Sequence, residues 1–587
     1  MRFLSISQKV ACAFLASFCL WTHPALSAEW QWSATIDSGA SRAYLWIPPN
    51  CQQVRGLILA NHNMIEQGIL EHATMRRACA DLGLAEVWVV PFLDQTFDFN
   101  NTATVTRFNS IISALAAASG YDELNVVPVV PLGHSACATF PWNFAAWNPG
   151  QTLAVLSVHG DAPQTTLTGN GFARVNWGNR NIDFVPGLMV MAELEWNEDR
   201  LAPATDYKNK HPNTPLALLG DAGHGHFDYS DQLVSFLAMF IRKAAAARLP
   251  ATAPLDQPVV LRDVKPQDGW IIDRWHKDQR PVAPSAPYAS YRGDTKTAFW
   301  GFDEEMAKAT EALYAAARGK RPQLLSVTSP DADPQCGCGE PVRPVFIPLA
   351  DGISFKLHTA FMDAVPNAGN ASIWADGLPV GTSLGHPTGG GPIVLSWIVG
   401  PGAQTAADTF MVRFGRAEYT SNNRNNNIWV LAAHPGDDHY KSTAQQAQII
   451  LPANTDGLAQ TITFPEIEPQ TAGVTSLTLN ATASSGLPAS YFVLEGPAEV
   501  SGGTLRFTDI PPRGKFPIKV MVVATQWGRS TSPRWQTAER VERSFDIVAK
   551  PSVPAVVAAT PPLSLLCEHP PRSVESEFAV CNINLNR

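Results

Sequence analysis

The chain has 587 residues, 45% of them hydrophobic and 16% charged, which is enough apolar mass for packed cores and excludes wholesale disorder. Its 43 basic and 52 acidic residues leave a net charge of -9 with no basic tract, which argues against nucleic acid as a partner. The 17 tryptophans in a charge-poor chain would suit a carbohydrate ligand.

Taken in order, residues 1–28 place Arg2 and Lys9 ahead of an apolar run at 10–20 and a small-residue exit at 25–28. The run is shorter than the roughly 20 residues a bilayer span needs, and the order of features is that of a cleaved secretory signal. No later run of that length exists, so the expectation is a secreted or periplasmic protein without a membrane span. Export permits disulfides. Cys51 with Cys79 and Cys567 with Cys581 are plausible pairs, whereas Cys336-Gly337-Cys338 lacks the second ligand pair that zinc needs.

Residues 29–250 alternate apolar and amphipathic runs. Strand-like runs fall at 42–47, 56–60, 85–90, 125–131, 153–158, 187–192 and 215–219; helical patterns fall at 68–81, 105–118, 136–146 and 230–248. The third to seventh strand runs are near-continuously apolar, as a parallel sheet covered on both faces requires. This order predicts an α/β domain with a doubly wound sheet. Residues 251–340 read as a linking extension with a helix at 304–318. From 341 to 548 short alternating runs between Gly, Asn and Pro turns predict a β-sandwich region, Ig-like, of one or two small domains. Residues 549–587 read as a Pro-rich tail.

Directly after the run 125–131 come Gly133-His134-Ser135-Ala136-Cys137 and then a helical pattern. A strand–Gly-x-Ser-x–helix turn exposes a serine hydroxyl at the sheet's carboxyl edge, where the following helix points its amides. Cys137 stands where that pattern usually has glycine. A serine nucleophile needs a base and an acid to orient it, in the order serine, acid, histidine on later strand ends. Two glycine-flanked histidines follow the run 215–219. His226 is the first choice because it lies directly before the helix, and His224 is the second. For the acid, Glu195 just past the run 187–192 is first and Glu193 second; on an extended chain the two face the same side, so spacing does not separate them. Asp161, Asp183 and Asp199 stay open. The oxyanion hole is expected from the Ala136 amide together with that of Asn63 or Met64 in the loop after the run 56–60. His62 in that loop is a candidate substrate contact, with bonding the loop together as the alternative. Trp142, Trp177 and Trp196 near the strand ends are candidates too, with core packing as the alternative, as it is for Phe97. His434-Pro-Gly-Asp437-Asp438-His439 and Asp331-Ala-Asp333 are read as polar turns, and the Asn-rich run 419–427 as a hairpin loop.

Through Gly133-His134-Ser135, Glu193-Leu194-Glu195 and Gly225-His226-Phe227, residues 40–248 resemble the α/β-hydrolase superfamily, most of all secreted bacterial esterases of the dienelactone-hydrolase and carbohydrate-esterase kind. The resemblance implies a serine-esterase mechanism with no metal and no organic cofactor. Ser135 attacks an ester carbonyl, His226 carries the proton and Glu195 holds the imidazole, on an ester-bearing substrate such as an acylated or methyl-esterified polysaccharide. Two other readings stay open: a secreted serine peptidase or polyester depolymerase, and a glycan-binding protein whose hydrolase domain is inactive.

Overall fold

The apolar runs become an eight-stranded sheet: β1 (Trp32–Ile36), β2 (Ser41–Trp46), β3 (Gly56–Asn61), β4 (Leu84–Val90), β5 (Val129–His134), β6 (Val155–Val158), β7 (Gly187–Ala192) and β8 (Leu216–Asp221). Its order is β1-β2-β4-β3-β5-β6-β7-β8. The β1–β2 and β2–β4 pairings are antiparallel, and all others are parallel. These elements come from a computed structural model that describes residues 29–551 except 40, 167–170, 253 and 421–425. The predicted leader, Cys567, Cys581, nearly all of the tail and part of the Asn-rich run lie outside the described residues.

Because successive strand residues point to opposite faces, each strand feeds two cores. Leu57 and Leu59 of β3 join one cluster with helices α3 (Thr102–Ser119), α4 (Phe140–Trp147) and α5 (Glu198–Lys210), while Ile58 and Ala60 join the other. That second cluster includes α1 (Glu66–Glu71), α2 (Ala73–Leu82) and α6 (Asp231–Arg248). Burying each such aliphatic side chain contributes about 1.5–3 kcal/mol. The two faces also correct the expected Cys51–Cys79 disulfide. Cys51 packs in the first cluster and Cys79 in the second, so the sheet separates them and both are free thiols. Among the described residues, a disulfide joins Cys336 to Cys338.

Three boundaries differ from the periodicity. The run at 125–131 begins as a 3-10 turn, Asp122–Asn125, and the strand itself extends to His134, carrying the chain to Ser135. The helix expected at 68–81 is two, broken at His72, whose extended backbone and ring nitrogen cap α2 through the Thr74 amide. Helix α5 escaped the sequence reading because it is polar and carries Pro203, with only Leu201, Ala204 and Tyr207 buried.

Downstream, the alternating runs form small antiparallel sheets. One holds Val394–Val399, Asn427–His434 and Thr443–Ile450; another holds Ser490–Glu495, Ile518–Thr525 and Val541–Val548, with Gln470–Thr471 parallel at its edge. Both cores of the large sheet continue into this region, through Val520 and Phe545 on one face and Trp429 and Leu431 on the other. The described residues up to 549 pack as one unit. Among the described residues no helix is long and apolar enough to cross a membrane.

Candidate active site

Ser135 sits at the carboxyl end of β5, at the first residue of a 3-10 turn, Ser135–Cys137, that leads into α4. Its φ is +52°, a left-handed conformation that a non-glycine residue holds only where surrounding structure enforces it. Gly133 makes the turn possible: a Cβ there would overlap the carbonyl oxygen of Cys137. Cys137, in the place usually held by glycine, is buried, forms no disulfide and fits.

The residues expected as nucleophile, base and acid lie in contact. His226 Nε2 lies 2.6 Å from Ser135 Oγ, and His226 Nδ1 lies 2.5 Å from Glu195 Oε2. Burial pushes the Glu195 carboxyl up, but the His226 ring, the Arg200 guanidinium and His159 outweigh it and hold the group below its ordinary value. Arg200 donates to Glu195 at 3.0 Å and reaches Asp161 at 3.4 Å, which fixes the acid's rotamer.

Glu193 and Glu195 are separated by local geometry. They occupy a 3-10 turn, Glu193–Glu195, not extended chain, so residues two apart point in different directions. Glu193 turns inward, is buried, and accepts the Gly223 amide at 2.9 Å; burial raises its carboxyl above the ordinary value. Asp161 meets Arg200, and Asp183 accepts the Thr214 hydroxyl at 3.0 Å. Asp199 lies in the first turn of α5.

His224 is an ion-pair partner. Its Nδ1 lies 2.9 Å from Asp228 Oδ1. Burial disfavours its charge, but Asp221 and Asp228 overcome this and raise the imidazolium to about 9. A histidine charged at neutral pH cannot accept the serine proton. Asp221, His224 and Asp228 bring metal-type donor atoms within 4.8 Å of one another, and the two carboxylates are engaged by His159, His224 and the Gly225 amide. The His224 pair also sets a stability prediction. Its contribution is fully present below the ordinary histidine value of 6.5 and is lost as pH rises through about 9, because the unfolded chain releases the proton first. The melting temperature of the native protein should fall across that window, and His224→Gln should flatten the slope; equal slopes would discount the pair.

The oxyanion loop differs from expectation. The amides of Asn63 and Met64 donate to Glu66 Oε2 at 2.9 and 2.8 Å, so both are already engaged within the protein. The same carboxylate takes the His134 amide on Oε1 at 3.0 Å, latching the loop to the residue before the nucleophile. Burial raises Glu66 to about 7. Its sequence signal is the spacing Asn63-x-x-Glu66, which lets an acid at the first residue of α1 reach back to the amide three residues before it. The Ala136 amide, early in the 3-10 turn, has no carbonyl ahead of it within that turn. The Asn63 side chain lies 3.3 Å from the His134 carbonyl oxygen.

Two further histidines, unassigned from the sequence, converge on the His226 carbonyl: His134 Nε2 at 2.8 Å and His159 Nδ1 at 3.3 Å. His159 in turn pairs with Asp221 at 3.0 Å, and that pair raises its imidazolium despite complete burial.

The aromatic candidates divide. Trp142 is 1% exposed, covers Gly187 and donates to the Asp161 carbonyl at 2.7 Å. Trp177, equally buried, donates to Asn143 at 2.7 Å. Both are core residues and not substrate contacts, since each indole N–H finds its partner inside. Phe97 packs among Phe108, Phe140, Phe144 and Trp147. His62 is buried edge-on to Trp88. Trp196 alone stays partly exposed, against Trp275 at 4.6 Å.

No family model matches the chain, and no curated protein is similar to it. Solved structures similar to part of it include Est1E from Butyrivibrio proteoclasticus, at 14% identity and TM-score 0.25, covering 37% of this chain and 97% of that one. An S-formylglutathione hydrolase from Agrobacterium tumefaciens shows 16% identity and TM-score 0.27, covering 37% of this chain and 93% of that one. LpqC, a poly(3-hydroxybutyrate) depolymerase from Bordetella parapertussis, shows 15% identity and TM-score 0.26, covering 39% and 94%. The strand order β1-β2-β4-β3-β5-β6-β7-β8 and the serine turn that ends β5 give residues 32–248 the α/β-hydrolase fold.

Proposed function

We propose that this chain is a serine hydrolase of carboxylic esters, with Ser135 as nucleophile, His226 as base and Glu195 as the orienting acid. The observation that carries the reading is the continuous contact from Ser135 Oγ through His226 to Glu195 at 2.6 and 2.5 Å, with the serine in a left-handed turn. Ser135 Oγ adds to the ester carbonyl while its proton passes to His226 Nε2. Collapse expels the alcohol, which takes that proton, and water then repeats the sequence to release the acid. The Ala136 amide faces the developing oxyanion.

The finer reading is an exported enzyme acting on acyl or methyl esters of polysaccharide. With Trp142 and Trp177 in the core, it is supported by partly exposed Trp196, next to the acid, and by the leader-like residues 1–28. The catalytic region is taken as 29–250, the linking extension as 251–340 and the β region as 341–548. Within the β region, the sheet holding Ser490–Glu495 and the sheet holding Thr504–Phe507 are read as layers of a β-sandwich, with Phe507 and Phe545 6.1 Å apart. Hydrolysis should be measured on a short-chain aryl ester and on acetylated, feruloylated and methyl-esterified glycans, with a peptide amide and a polyester as controls. Release from the aryl ester and at least one glycan is expected. Turnover of the amide or polyester alone would replace the glycan reading, and no turnover of any ester would leave a glycan-binding protein.

A further inference from the structure

The acid and base of the triad stand on loops after β7 and β8, tied together where the Leu194 amide donates to the His224 carbonyl at 3.0 Å. Each loop is also gripped by chain far downstream. The Trp374 indole donates to the Leu194 carbonyl at 3.0 Å, in the middle of the acid turn. Lys277 lies 2.8 Å from Asp376 and 4.0 Å from Glu193, linking the same turn to the same segment.

The grip on the base loop is tighter. Gln446, 2% exposed on the strand Thr443–Ile450, donates from Nε2 to Asp228 Oδ2 at 2.5 Å. Asp228 is fully buried, takes the Gly225 amide at 3.2 Å and meets His224 at 2.9 Å, so it organises the residues flanking His226. A Cβ on Gly223 would overlap the Ser442 hydroxyl, and one on Gly225 would crowd the Gln446 amide, so the downstream strand presses directly on the loop. Phe227 packs 5.1 Å from Trp429, whose strand pairs with that of Gln446. On the strand's opposite face, Gln445 accepts the amides of Gly337 and Cys338 at 3.1 and 3.3 Å, which anchors the strand to the disulfide loop.

We infer that the strand Thr443–Ile450, through Gln446 and Asp228, positions His226, so that the downstream β region is a working part of the catalytic centre. Gln446 is a positioning residue that acts through Asp228. A loop containing two glycines has much backbone freedom to lose, and a buried amide–carboxylate bond is what removes it. The inference rests on the assignment of Ser135, His226 and Glu195 as the triad.

Two variants test it. Gln446→Met nearly keeps the volume and removes the donor; Gln446→Glu keeps the shape and makes the donor titratable. With aryl ester as substrate, Gln446→Met should lower kcat by about 10- to 100-fold, the scale of a misplaced catalytic group. KM should stay within about twofold, since the interaction is not with substrate. In Gln446→Glu, a protonated carboxyl donates to Asp228 and an ionised one repels it. Its kcat relative to the native enzyme should therefore rise as pH falls, while that of Gln446→Met stays level. Melting curves report the folded fraction of each. Native kcat in folded Gln446→Met, or losses that only follow the folded fraction, would overturn the inference. Should the native protein hydrolyse no ester, the functional reading fails separately, and the His226 ring resonances in NMR spectra decide the positioning: they should shift or broaden in Gln446→Met, and unchanged resonances would overturn it.

Discussion

Replacing Ser135 or His226 with alanine should each lower kcat/KM on a short-chain aryl ester by about 10,000-fold or more, and the double variant should be little worse than either alone. Residues acting as one unit are not additive: once the 2.6 Å Ser135–His226 contact is broken, neither partner can move the proton by itself. Neither change should unfold the protein, because both side chains lie at a partly exposed edge of the sheet. Substantial hydrolysis by purified Ser135→Ala would place the chemistry elsewhere. His224→Ala should differ in kind, lowering thermal stability through loss of a buried ion pair while leaving the proton-transfer pair in contact.

The second large effect concerns the acid. Glu195→Gln should lower kcat by about 10,000-fold, since an amide can hold the wrong histidine tautomer and does not stabilise the imidazolium. The structure separates this from Glu193→Gln. Glu193 accepts the Gly223 amide and touches no part of the His226 ring, so its change should cost about 1–3 kcal/mol of stability, with most of the activity kept in the folded fraction. The measurement is kcat for both variants beside their melting temperatures. Equal activity losses at equal stability would show that the two carboxylates share the role.

The sheet was readable because buried parallel strands are near-continuous apolar runs, and residues 56–60, 85–90 and 187–192 leave little choice. Helix α5 was not readable, since its burial rests on three residues and its composition is that of a surface loop. At the site, Ser135 is proposed from glycine in a strand–helix turn and His226 from its place before a helix, while the 3-10 turn is what separates Glu195 from Glu193 as the proposed acid. Glu66 stands three residues after Asn63, and its carboxylate holds the Asn63 and Met64 amides that were expected to face an oxyanion. Trp142 and Trp177 looked like a sugar platform because sequence position marks a strand end but not the direction of a ring.

From the sequence alone came the kinds of chemical group present, their order along the chain and the periodicity of the elements that carry them, because these depend on local sterics and on which residues water rejects. Tertiary structure decided which of two carboxylates meets the imidazole, which histidine pairs with Asp228, and that a strand more than 200 residues downstream lies against the base loop. Those outcomes turn on distances of a few tenths of an ångström between segments remote in sequence, and hydrogen-bond and charge energies change steeply over such distances.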